Sequence, residues 1–120
     1  GGGTAVFLRT DVVEAKDIDA MVERCVSAFS GLDAAFNNAG VEGDQSPLPD
    51  QYMDHVQRVF DFMINGVYLA MQAELPAMRG RAGAAIVNMS SMWGLAGYPE
   101  LSPYITAKHA VSGMTKSAAL

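Results

Sequence analysis

"AAIVNMSSMWGLAGYPELSPYITAKHAVSG", residues 84–113, moves from an apolar run through a polar corner and a loop to a segment with a tyrosine and a lysine four apart. The stretch "AAIVNMSS", 84–91, does not alternate with polar residues, so it reads as a strand buried on both faces. Ser102 and Pro103 mark a helix start, because serine can cap the first free amides and proline suits the first helical position. A helix is expected over 103–120. Residues four apart on a helix face the same way, which brings the Lys108 ammonium beside the Tyr104 phenol. A positive charge there favours phenolate over phenol, as a general acid or base working near neutral pH requires.

Working outward, the same alternation continues. "LDAAF", 32–36, is a second buried strand that runs into the turn-rich "NNAGVEGDQSPLPD", and "AVFLRT", 5–10, reads as a strand before both. Between them "EAKDIDAMVERCVSAFSG" places Ile18, Met21, Val22, Cys25, Val26 and Phe29 at helical spacing, with Gly31 as the stop. Asp50 is expected to cap a long helix through "QYMDHVQRVFDFMINGVYLAMQAELPAM". Its face of Met53, Val56, Phe60, Met63, Val67, Leu69 and Met71 reads as core or subunit interface rather than cofactor contact. Strands alternating with helices predict an α/β fold, one domain over 1–120, with a parallel sheet covered by helices on both faces.

Composition narrows the function classes. Half the residues are hydrophobic and the net charge is -5. That balance suits a globular protein and disfavours nucleic acid or an anionic membrane as partner. No apolar run approaches the roughly 20 residues of a membrane-spanning helix and no signal peptide is visible, so a cytoplasmic protein is expected. Cys25, the one cysteine, reads as a small core residue; His55 and His109 are far apart, and no metal site is expected.

Ligands of open parallel sheets bind at the carboxyl ends of the strands. Asp11 follows the first strand, Asn37 and Asn38 the second, and Ser90 and Ser91 end the third, while Tyr104 and Lys108 open the next helix. Four segments thus deliver polar groups to one edge, which predicts a binding or catalytic site.

"NNAG" at 37–40 after one apolar strand, "NMSS" at 88–91 after the next, and Tyr104 thirteen residues beyond Ser91 together resemble the classical short-chain dehydrogenase/reductase family. The likeness runs from "RTDV" at 9–12 to "KSAAL" at 116–120. It implies a Rossmann-like fold and an oxidoreductase that interconverts an alcohol and a ketone or aldehyde by hydride transfer with NAD or NADP. By that resemblance Tyr104 is the acid/base, Ser91 orients the carbonyl, and Lys108 lowers the tyrosine pKa and binds the nicotinamide ribose. Asp11 would lie near the adenine, and Asn38, Ala39 and Gly40 along the cofactor's ribose side. Ser90 would support the strand end. The family's habit of assembling through the long central helix and the tyrosine-bearing helix implies a homo-oligomer, dimer or tetramer. Glu42, Met92, Trp93, Leu95, Tyr98 and Leu101 flank the site and are placed to line a pocket for a largely apolar alcohol or ketone.

The chain departs from the family pattern in two ways. The asparagine usual three residues before the glycine at position 66 is replaced by Met63, and Asn65 should face elsewhere, since two helical residues are about 200° apart. A local bulge would turn Asn65 into place. The strand and glycine-rich turn that hold a pyrophosphate are also missing, because "GGG" at 1–3 precedes the first strand. Read against the family, the chain is an internal piece lacking the first two strands and the carboxyl-terminal part. Its strand at 5–10 would be either unpaired or moved beside 32–36. An alternative reading is a non-catalytic assembly domain of the same fold that binds no dinucleotide.

Overall fold

The computed structural model describes residues 2–120. Helix α1 (Ala15–Phe29) buries Ile18 and Val22, and it stops where Ser30 turns left-handed at φ 63°. Gly31 follows at φ 154°, a backbone conformation that residues with a Cβ rarely adopt, and the Arg81 guanidinium lies over it. Strand β1 (Ala34–Asn37) then pairs in parallel with β2 (Ala85–Asn88), Ala34 opposite Ala85 and Asn37 opposite Asn88. The crossover between them is one long helical segment: α2 (Met53–Phe60), a π-helical turn (Asp61–Asn65) and α3 (Gly66–Met78). Helix α4 (Ser102–Ala118) follows β2.

Ala35 and Ile86 point the same way from the two strands and pack with Val22 of α1 and Met78 of α3. Ile86 also meets Val67 and Met71 of α3 and Val111 of α4. Helices α1, α3 and α4 therefore cover one face of the sheet, where helices on both faces were expected. The reason is packing: α3, the crossover that joins the two strands, shares its apolar contacts with α1 through Met78 and Val22 and with α4 through Met71 and Val111. The other face leaves Phe36 and Val87 more than half exposed. The α/β, Rossmann-like character of the expectation stands.

Three local expectations are corrected. Residues 5–10 form no strand and Phe7 is 91% exposed, because an apolar segment becomes a strand only where a neighbour supplies a ladder. Asp50 does not cap the long helix. It ends a 3-10 turn, Leu48–Asp50, that starts after Pro47, and the helix begins at Met53 behind an extended Tyr52. Ser102 is the first residue of α4 rather than its cap, and its carbonyl accepts from Thr106 Oγ1 at 2.8 Å. Among the described residues no helix is long and apolar enough to cross a membrane.

Candidate active site

Parallel, in-register pairing sets the carboxyl ends of β1 and β2 side by side, and Met89 N–H extends the ladder by donating to the Asn37 carbonyl at 2.9 Å. The two facing asparagines join a polar row under the helices. Asn37 Nδ2 donates to Asn88 Oδ1 at 2.9 Å and to Glu74 Oε2 at 3.0 Å, and Asn88 Nδ2 donates to Thr115 Oγ1 at 3.0 Å. The row ties both strands to α3 and α4. Glu74 is 2% exposed, and burial pushes its carboxyl above the usual range while the Asn37 amide partly opposes this.

Lys108 lies buried in α4 at 6% exposure, with its Nζ donating to the Met89 carbonyl at 2.7 Å and standing 5.4 Å from the centre of the Tyr104 ring. Burial pulls its ammonium below the usual lysine range. Its own carbonyl accepts from Ser90 Oγ at 3.0 Å and Ser112 Oγ at 3.1 Å, and the two hydroxyls are 2.8 Å apart. Ser91, next along the strand end, is half-buried and extended, and its Oγ accepts the Trp93 N–H at 3.2 Å to open a 3-10 turn, Met92–Gly94. Ser91, Tyr104 and Lys108 are thereby gathered at the end of β2.

Asn38, Ala39 and Gly40 leave the end of β1 exposed. A side chain at Gly40 would touch Met63 at 3.5 Å, and Met63 packs with Val59, Ala107 and Tyr104. The segment therefore approaches α4 through Met63. Asn38 and Ala39 also rim an apolar cleft of about 320 Å³ with Val12, Ile18, Phe62 and Gly66. Asp11 stands one residue from that cleft and is not joined to the Tyr104 group. It shapes the turn into α1: its Oδ1 accepts from Val13 N–H at 3.2 Å, and its own N–H donates to Asp17 Oδ2 at 3.0 Å.

A π turn does form over 61–65, yet it leaves Asn65 exposed, with its amide donating to Asp61 Oδ1 at 2.9 Å. Met63, 2% exposed, occupies the ground beneath Tyr104 instead. Among the flanking residues, the rings of Trp93 and Tyr98 meet at a tilt of 46° with their centres 4.8 Å apart, and Met92 and Leu95 are open to solvent. Leu101 is buried in the core, so it does not line the mouth as expected. Glu74, Ser112 and Thr115 were missed by sequence reasoning, and Asn88 was read only as part of "NMSS". The legible hint was a glutamate inside the apolar run "LAMQAEL".

The sequence model described as "short chain dehydrogenase" matches residues 2–120. The chain belongs to the short-chain dehydrogenase family. This short-chain dehydrogenase chain is 41% identical over 119 residues to the cyclohexanol dehydrogenase of Acinetobacter sp. (strain SE19), covering 99% of the chain and 47% of that protein. It is 38% identical over 120 residues to the 2,5-dichloro-2,5-cyclohexadiene-1,4-diol dehydrogenase of Sphingobium indicum, covering 98% of the chain and 48% of the relative. Among solved structures, ElxO with NADP bound superposes with a TM-score of 0.91 at 33% identity, over 95% of this chain and 46% of ElxO. The short-chain dehydrogenase chain thus spans about half the length of the relatives it matches.

Proposed function

We propose that the protein is an NAD- or NADP-dependent oxidoreductase that interconverts a secondary alcohol and a ketone, with Tyr104 as acid/base, Lys108 as its cationic partner and Ser91 as the hydrogen-bond donor that orients the carbonyl. The observation that carries this reading is the buried Lys108 ammonium 5.4 Å from the Tyr104 ring at the end of β2. The residues suit a nicotinamide ribose. One Lys108 N–H is committed to Met89, which leaves two donors for ribose hydroxyls, and the Asn38–Gly40 segment at the end of the neighbouring strand is exposed. Bound there, the cofactor would carry the hydride. Asp11 would face the adenine end.

The chain's own residues handle the proton. In reduction the Tyr104 hydroxyl would give its proton to the carbonyl oxygen and become phenolate, and in oxidation the phenolate would take the alcohol proton and become phenol. The Lys108 charge stabilises the phenolate formed in the first case. Ser91 Oγ–H donates to the same oxygen and fixes its position. Trp93 and Tyr98, in ring contact, and the exposed Met92 and Leu95 near them in sequence would offer apolar surface to a six-membered carbocycle, and the names of both relatives contain such a ring. A groove between α3 and α4, lined by Tyr68, Met71, Leu75 and Met114, is the surface proposed for homo-oligomer assembly.

The test is Tyr104→Phe in the intact protein, followed by nicotinamide absorbance with cyclohexanol and with cyclohexanone. Turnover is expected to fall about 10²–10⁴-fold with cofactor binding kept. Undiminished turnover would sink the assignment. Met63 in the asparagine position favours the second reading, an assembly domain without catalysis; an intact oligomer that binds neither NADH nor NADPH would select it.

A further inference from the structure

We propose that Ser90, helped by Ser112, is a positioning residue that holds Lys108 against the end of β2. The proposal rests on the reading above in which Lys108 serves Tyr104 and the cofactor. Two consecutive residues of the strand end grip this one lysine at both of its ends. Met89 takes its ammonium at 2.7 Å through a carbonyl, and Ser90 Oγ donates to its backbone carbonyl at 3.0 Å.

That carbonyl already sits inside α4, so the serine uses its second lone pair without breaking the helix. Ser112 Oγ, one turn further on, stands 3.1 Å from the same oxygen and 2.8 Å from the Ser90 hydroxyl, and its single proton goes to one or the other, so the three oxygens form one cluster. Gly94 makes room for it. A Cβ there would collide with Ser90 Oγ and stand 3.0 Å from the Lys108 carbonyl and 3.1 Å from Ser112 Oγ. Three separate segments are therefore shaped around one backbone oxygen of a residue whose side chain faces the site.

The consequence is geometric. Ser91 follows Ser90 directly, and Tyr104 precedes Lys108 by one turn, so the cluster sets the register of the strand-borne serine against the helix-borne pair. Apart from Tyr104, no titratable side chain contacts Lys108 among the described ion pairs and hydrogen bonds.

The experiment compares the intact protein with Ser90→Ala, Ser112→Ala and the double variant. Ser90→Ala is expected to lower kcat about tenfold while KM stays within about twofold, since misplacement affects the reacting geometry more than binding. Ser112→Ala should do less, and the double variant should fall short of the product of the two, because both hydroxyls share one oxygen. A readout independent of turnover is the titration of Lys108, followed by NMR of ¹³C-labelled lysine and assigned by the signal lost in Lys108→Arg. In Ser90→Ala it should move up toward an ordinary lysine as the ammonium regains water.

If Ser90→Ala fails to fold, Ser90→Cys keeps the volume and a weak donor and should give intermediate values. Unchanged kcat in either folded variant, with or without a change in the Lys108 titration or in thermal stability, overturns the proposal. Failure of the functional reading shows elsewhere, as full turnover in Tyr104→Phe, while the Lys108 titration still reports whether Ser90 holds the lysine.

Discussion

Two buried ionisable groups contribute to how this protein responds to pH. The Lys108 ammonium titrates below 10.5 in the folded chain because burial disfavours charge. Between that lowered value and 10.5 the unfolded chain binds more protons, so this group adds stability as pH rises through the window. Lys108→Met should therefore unfold with a flatter alkaline dependence than the parent, seen by comparing urea midpoints at about pH 8 and about pH 10. Glu74 has the opposite sign. Its carboxyl titrates above 4.5 because of burial, so its contribution is full below 4.5 and is lost as pH rises through the raised folded value. Glu74→Gln keeps an oxygen for the Asn37 amide and sheds the buried charge. Its melting temperature should exceed the parent's by a few degrees at neutral pH and match it in acid, as calorimetry would read.

At the scale of elements, the π turn is the informative irregularity. One extra residue in a helical turn shifts the phase of everything after it, yet the apolar stripe reads through because Met63 and Val67 both still reach the core. The turn resolves the question of Asn65 against the usual arrangement, since the amide is spent on Asp61. Met63→Asn would place an amide among Val59, Ala107 and Tyr104 without an evident partner. The substitution should cost about 1–3 kcal/mol of stability in urea unfolding. An unchanged midpoint would mean that water or a neighbour satisfies the amide, and the cluster would then be less closely packed than described.

The whole molecule presents one helix-covered sheet face and one open face, with an apolar groove between α3 and α4 on the covered side. Tyr68 and Leu75 are both about half exposed along that groove. If the groove is where copies meet, Leu75→Lys should shift sedimentation toward smaller species without changing the helical circular dichroism. A parent and variant of equal sedimentation coefficient would remove the groove as the interface.

The sequence by itself determined the α/β class, the helix pattern and the family, because apolar periodicity and the short motifs "NNAG", "NMSS" and Tyr104 with Lys108 are local signals. It also carried Tyr104 and Lys108 to one helix face, since helical pitch is a property of the backbone alone. Only the tertiary structure decided the rest. Whether 5–10 is a strand depends on a neighbour for its ladder, and Phe7 stands exposed for lack of one. Which face the helices cover depends on how α1 and α4 pack against α3. The pairing of Glu74 with Asn37, and of Ser90 with the Lys108 carbonyl, joins residues 37 and 18 positions apart. Such hydrogen bonds leave little trace in the sequence, because any serine or asparagine can make them once packing brings a partner within reach.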